Sequence, residues 1–352
     1  MLKASSKSDS ISLGHDDWLF ANGKFADAPQ GDIHICSVMR DTITVRDVLA
    51  LQHLKTLSND QIRDLLSHQE GPFSLDVLIR QFGRGVGERR ELERAQDVAD
   101  RQLERYEQLG VSSILIDDPR YPHLLRGIPN PPLLLYSRGN ISPLNTMMPV
   151  AIIGSRKATP HGLSIARRLG KLFSTDSFAV VSGLAIGCDI AAHRGALDTA
   201  NGYTVAVLAN SLDSIYPKEN SKWADEIVER GGCLISEQPI DTTLRRTHFI
   251  LRNRIQSGIS HAVILVQSER TGGSMHTMKF AREQGRVLAA YDHGSTGAEY
   301  GGNQLVLEGM GGLPLNSPAS IDELKQRVSG ASWQHRPVGN YSLPQEQLVL
   351  EF

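Results

Sequence analysis

Three short runs in this 352-residue chain combine glycine with hydroxyl or arginine side chains, a composition suited to holding an anion. They are Gly154-Ser155-Arg156, followed at once by Lys157; Ser182-Gly183-Leu184-Ala185-Ile186-Gly187; and Thr271-Gly272-Gly273-Ser274. Glycine lets the main chain come close to a ligand, and the free N–H groups of a helix start carry partial positive charge. Each run alone also fits a plain tight turn between a strand and a helix. Their recurrence with hydroxyls and an arginine favours an anion site, with a phosphate-bearing ligand as its natural guest. A fourth run, LRRTHFILRNR at Leu244–Arg254, carries Arg245, Arg246, Arg252 and Arg254 with Asn253 and no acid. Guanidinium forks donate two bonds to one phosphate, and Phe249 inside the run offers a face for a nucleobase. Such a run is commonly a solvated face. Here it interrupts an α/β pattern just ahead of a strand, which brings it near the glycine turns and points to nucleic acid.

Other chemistry finds little footing. No GxGxxG follows the first strand of this pattern and no GxxxxGK[ST] occurs, so neither a standard dinucleotide site nor a P-loop is expected. GxSxG and HExxH are also missing. Asp189 and His193 sit four apart on an expected helix but lack a third ligand, and they read as structural. Cys188 opens that helix and reads as a buried thiol. No catalytic residue, metal site or cofactor is assigned.

The elements that must hold these turns alternate. VAIIG, AVVSG, TVAVLAN, CLISE, AVILVQ and RVLAAY are short and apolar throughout, and amphipathic stretches such as SIARRLGKLF and NSKWADEIVER lie between them. Strands that are apolar on both faces, alternating with helices, predict a mainly parallel sheet covered on each side, an α/β fold of extended Rossmann-like type. In such a sheet the three glycine turns converge at the carboxyl ends of the strands. Thr159 and Pro160 read as N-cap and first residue of the helix after the first turn. A small helical domain at 43–110 precedes the sheet. It contains VRDVLALQHLKTL, a second helix capped near Ser58, a third at SLDVLIRQF, and a charged helix from about Glu88 to Leu109. The Gly83–Gly87 turn within it reads as a connector. Residues 111–329 form the Rossmann-like domain, 1–42 an irregular arm, and 330–352 a polar, mobile tail.

Composition narrows the setting. The formal net charge is −2, so any nucleic-acid surface must be local. No apolar run is long enough to span a membrane, the first residues lack a secretory pattern, and the three scattered cysteines fit a reducing cytoplasm.

From Val150 to Tyr291 the chain resembles the DprA/Smf family of DNA-processing proteins. The pieces are AIIGSRKATPHG, VVSGLAIGCDIAAHRGAL, TVAVLANSLDSIYPKEN, LISEQP, LRNRIQSGIS and GGSMHTMKFAREQGR, with DDPRYPHLLRGIPNPPLLLYSRG upstream. The resemblance implies single-stranded DNA binding, homodimers, and delivery of a RecA-type recombinase. It implies Gly154, Ser155, Arg156, Ser182, Gly183, Arg252, Asn253 and Arg254 as DNA contacts, with Gly273 and Ser274 after them. Ile250 and Leu251 stand where relatives often have proline and a basic residue, so Arg245 and Arg246 are expected to supply charge there. The winged-helix domain that many relatives carry at the C-terminus is not expected. The final residues, Gln347-Leu348-Val349-Leu350-Glu351-Phe352, resemble the bacterial sliding-clamp-binding peptide, with Gln347, Leu348, Leu350 and Phe352 as its anchors. The competing class is a nucleotide sensor or phosphoribohydrolase on the same fold, in which Gly272-Gly273-Ser274, Thr277 and Glu283 would correspond to its glycine-rich catalytic region.

Overall fold

The computed structural model describes residues 43–54, 58–59, 61–63 and 89–330. The expected arm at 1–42, the helix at 74–82, the Gly83–Gly87 turn and the tail residues Gln347, Leu348, Leu350 and Phe352 lie outside them.

Nine strands form one sheet in the order β1-β2-β6-β5-β4-β3-β7-β8-β9. They are β1 (Val111–Leu115), β2 (Leu134–Gly139), β3 (Met148–Ile153), β4 (Phe178–Ser182), β5 (Thr204–Val207), β6 (Cys233–Ser236), β7 (Ala262–Leu265), β8 (Val287–Tyr291) and β9 (Leu313–Leu315). From β6 to β9 every pairing is parallel. Only β2 runs against the rest, so the β1–β2 and β2–β6 pairings at one edge are antiparallel. The chain winds outward from β3 through β4, β5 and β6, then returns to lay β7 on the other side of β3. That reversal leaves a crevice at the carboxyl ends of β3 and β7, where open α/β sheets bind ligands.

Alternation along the strands divides the core between two faces. Val150, Ile152, Val180, Ala262 and Ile264 meet α4 (Pro160–Thr175), α5 (Cys188–Leu197) and α10 (Pro318–Gly330). Ala151, Ile153, Val181, Val263 and Leu265 face the other way, onto α3 (His123–Arg126), α7 (Arg246–Gly258) and α8 (Ser274–Glu283). The remaining helices are α1 (Val45–His53), α2 (Arg89–Gln108), α6 (Ser221–Glu229) and α9 (Gly301–Gln304). Helices α1 and α2 share one apolar cluster with sheet residues Leu134, Tyr136, Ala206 and Leu234. Arg46 bridges α1 to Asp100 of α2, and Tyr106 of α2 stacks on Tyr136 with centroids 4.8 Å apart.

Local signals explain the helix starts. Thr159 Oγ1 accepts from Gly162 N–H at 3.1 Å and Pro160 is the first helical residue, as expected. Ser58 and Gln61 form a reciprocal capping pair, Gln61 N–H to Ser58 Oγ at 3.2 Å and Ser58 N–H to Gln61 Oε1 at 2.8 Å, which holds the start of the second helix. No helix among the described residues is long and apolar enough to cross a membrane.

Candidate nucleic-acid interface

A cavity of about 450 Å³ opens at the β3/β7 crevice, and its wall includes Gly154, Ser155, Arg156 and Lys157 from the turn after β3. The turn after β7 and the start of α8 contribute Gly272, Gly273 and Ser274, while Phe249, Arg252 and Asn253 of α7 close the third side. Two buried amides fix this geometry. Gln267 Oε1 accepts from Thr159 N–H and Oγ1–H at 3.0 and 3.1 Å, tying the start of α4 to the end of β7. Asn303 accepts from Ser268 N–H at 2.9 Å and donates to the carbonyls of Val266 and Tyr291, each at 2.9 Å, which sets the path of the chain into the 268–273 turn. Ser155 N–H donates to Gln267 O at 2.7 Å and Lys157 N–H to Ser155 Oγ at 3.0 Å, so the first turn folds on itself and projects the exposed Arg156 and Lys157 side chains.

The glycines divide into two kinds. A Cβ at Gly154 would lie 2.5 Å from Cys188 Sγ, and one at Gly183 would lie 2.1 Å from Arg252 Nη1 and 2.6 Å from Asp189 Oδ2. Those two positions require glycine because the protein itself packs there. At Gly273 nothing lies within 4 Å, so its main chain is open to a ligand. Among the described residues the N–H groups of Gly273 and Ser274 have no protein acceptor, as expected for the first turn of α8.

Charge at the helix starts points the same way. The first turn of α7 carries no acid, its N-cap is Arg245 and its first residue is Arg246, and both side chains are exposed. Cations at a helix N-terminus oppose the helix dipole, and an anion bound there relieves the conflict. The first turn of α8 is likewise without an acid. Arg245 and Arg246 lie outside the cavity wall, at the end of α7 that leads to Phe249 and Arg252.

Arg252 and Arg254 part company although two residues separate them. Arg252 is 6% exposed, and its Nη1 donates to the carbonyls of Gly183 (2.8 Å) and Val207 (2.5 Å), clamping the ends of β4 and β5. Burial draws its pKa down to about 10, which leaves it charged at neutral pH. Beside it, burial raises the Asp189 carboxyl above its ordinary range, while Arg252 pulls it back. Arg254 does not reach the cavity. Its guanidinium pairs with Glu237 at 2.6 Å and donates to Leu251 O at 3.0 Å, so its role in the structure is internal. Ser182 is also turned inward, its hydroxyl donating to Ile152 O at 2.7 Å. Asn253 accepts from Arg252 Nε at 3.2 Å and reaches towards Gly273 O at 3.5 Å.

An aromatic and apolar patch adjoins the cavity. Tyr216 and Ile186 are each 48% exposed. Tyr216 meets Phe249 edge-on, with centroids 5.8 Å apart, and the Arg156 guanidinium lies 5.1 Å from the centre of the Phe249 ring. The sequence reading singled out Phe249 but missed Tyr216 and Ile186. Large apolar side chains this exposed mean most where they cluster, and only the fold brings the loop after β5 to the start of α7.

The remaining candidates are structural. Cys188 is buried and its thiol is pushed up to about 12, mainly by burial. His193 is fully buried and bonds Thr204 Oγ1 at 2.8 Å. Glu283 is exposed at the far end of α8, about 13 Å along the axis from Ser274. It therefore brings no carboxylate to the glycine turn. Among the described residues no three His, Cys, Asp or Glu side chains group as metal ligands.

Comparison with known proteins agrees with this fold. Residues 112–322 match the family described as DNA recombination-mediator protein A. The chain is 33% identical over 254 residues to the DNA processing protein DprA of Bacillus subtilis (strain 168), covering 72% of this chain and 84% of that one. The X-ray structure of DprA from Streptococcus pneumoniae superposes with a TM-score of 0.67 at 29% identity, over 80% of this chain and 98% of that one. DNA processing protein A from Helicobacter pylori, in a structure described by its single-stranded DNA binding mode, gives 0.55 at 27% identity, over 62% and 96%. The chain thus belongs to the DNA recombination-mediator protein A family, the DprA/Smf family of DNA-processing proteins.

Proposed function

We propose that this chain binds single-stranded DNA stoichiometrically across the carboxyl edge of its parallel sheet. The observation that carries the reading is one juxtaposition: a cationic, glycine-lined cavity at the β3/β7 crevice beside the exposed patch of Tyr216, Phe249 and Ile186. Arg156, Lys157 and the free N–H groups at the start of α8 suit phosphate oxygens. The patch suits bases, which a single strand exposes and a duplex keeps stacked inside. The Helicobacter pylori relative, described by its single-stranded DNA binding mode, supports the same assignment.

Fluorescence anisotropy with labelled single- and double-stranded oligonucleotides tests it. The single strand binds selectively and more weakly as salt rises, and Arg156→Ala reduces the slope of log affinity against log salt by about 0.7, the loss of one phosphate contact. Equal affinity for duplex, or no binding by the folded protein at low salt, refutes the reading. The bound strand would be presented to a RecA-type recombinase by a homodimer, and Gln347, Leu348, Leu350 and Phe352 would engage a replication sliding clamp. Sedimentation with recombinase and oligonucleotide, and clamp pull-down by the chain with and without its last six residues, test those two partnerships.

A further inference from the structure

The outer cavity wall offers donors suited to a phosphate, the Arg156 guanidinium and the N–H groups of Gly273 and Ser274, beside the Glu269 carboxylate and several hydroxyls. The deeper wall is different. Gln256 of α7 and Thr277 of α8 both line the cavity and are each 2% exposed. An amide and a hydroxyl can each accept as well as donate, so this wall can match a group that carries a donor and an acceptor side by side. Gln256 Nε2 is moreover shut off from water and has no hydrogen-bond partner. A buried donor left unmade is costly, and a small rotation of the amide towards the cavity would let a ligand complete it. The volume of about 450 Å³ lies within the range of about 300–1,000 Å³ of pockets that enclose whole small molecules. It is far more space than a phosphate group fills.

We propose that the cavity seats one nucleobase of the bound strand, read along its edge by the Gln256 amide, with adenine the best-matched base. Adenine places a donor and an acceptor side by side, and a side-chain amide meets both at once. Asn253 is less suited to this reading, because both ends of its amide are drawn to the protein, Oδ1 to Arg252 Nε at 3.2 Å and Nδ2 towards Gly273 O at 3.5 Å. The inference rests on the single-strand reading above and adds a base preference to it.

The test compares two labelled strands of about twelve nucleotides: one all thymine, the other with adenine at every third position, which limits self-stacking. The native chain binds the adenine-containing strand about fivefold more tightly or better. Gln256→Leu brings the two strands to equal affinity and melts no lower than the native protein, since it removes an unmade donor. Equal binding of both strands by the native chain overturns the base seat while leaving the single-strand reading intact, and so does a preference that survives Gln256→Leu. Failure of the folded native chain to bind either strand overturns both readings. If the leucine variant does not fold, Gln256→Met, unbranched like glutamine, takes its place, and the native ratio alone still decides against the seat if it is one.

Discussion

Replacing Arg254 with methionine removes the guanidinium that meets both oxygens of Glu237, Nη1 to Oε1 at 3.0 Å and Nη2 to Oε2 at 2.6 Å. Only 9% of the Arg254 side chain and 15% of the Glu237 side chain reach solvent. Water cannot fully hydrate the carboxylate left behind. Breaking one side of such a pair costs about 3–5 kcal/mol, and the residual exposure of Glu237 puts the expected loss near 3 kcal/mol. That is a change of more than about a hundredfold in the folding equilibrium and a fall of roughly 4–6 °C in melting temperature for a chain of this size. The double variant Arg254→Met, Glu237→Met removes both charges together and should recover to within about 1 kcal/mol of the native chain. Thermal unfolding of the native, single and double variants measures the coupling. Anisotropy with a single strand, at a temperature where all are folded, measures whether DNA contact is lost. The reasoning fails if Arg254→Met melts with the native protein yet loses affinity as Arg156→Ala does.

Three further predictions follow from the same geometry. Tyr216→Ala leaves the melting temperature unchanged, because the ring is half exposed, but weakens single-strand binding by about 5- to 100-fold, the worth of one stacked base; titration of the variant by anisotropy checks it. Gly273→Ala folds at least as stably as the native chain and binds DNA less well, since its methyl occupies the open approach, whereas Gly183→Ala drives a Cβ into Arg252 and Asp189 and loses about 1–3 kcal/mol; paired denaturation and binding curves separate the two. His193 is held neutral by burial, its pKa drawn from 6.5 down to about 3. The unfolded chain therefore takes up a proton that the folded chain refuses between these values. The stability is fully present above about pH 6.5 and drains away as pH falls towards 3, by up to roughly 4 kcal/mol. Melting temperature against pH should show this slope, and His193→Gln should flatten part of it, with buried His261, drawn down to about 4, supplying much of the rest.

The parallel strands were legible because burial on both faces leaves each one apolar throughout, so VAIIG, AVVSG, TVAVLAN, CLISE, AVILVQ and RVLAAY announce β3 to β8 without any partner in view. Strand β9 was not. It is three residues long with Pro314 at its centre, a residue tolerated at an edge and invisible as a strand signal. The lateral order was also hidden, since nothing local to β7 says that it lands beside β3. The site was legible where chemistry is local, in the glycine turns and the arginines, and opaque where contacts are distant. The carboxylate that claims Arg254 comes from the loop after β6, and Tyr216 gains its meaning only beside Phe249. Gly154 and Gly183 carried the right residue for a reason the spacing concealed, the close approach of Cys188 and Arg252.

The clamp made by Arg252 across the ends of β4 and β5 has an evolutionary consequence. One guanidinium both lines the cavity and closes the sheet beneath it, so selection cannot tune ligand preference at that position without reopening the fold. Change is cheap at the rim, where Arg156, Lys157, Arg245 and Tyr216 stand in solvent, and prohibitive at the floor. Descendants of this chain should therefore diverge in what their surface grips while inheriting the buried cation unaltered, and a homologue that has lost it should carry a compensating donor for the carbonyls of Gly183 and Val207.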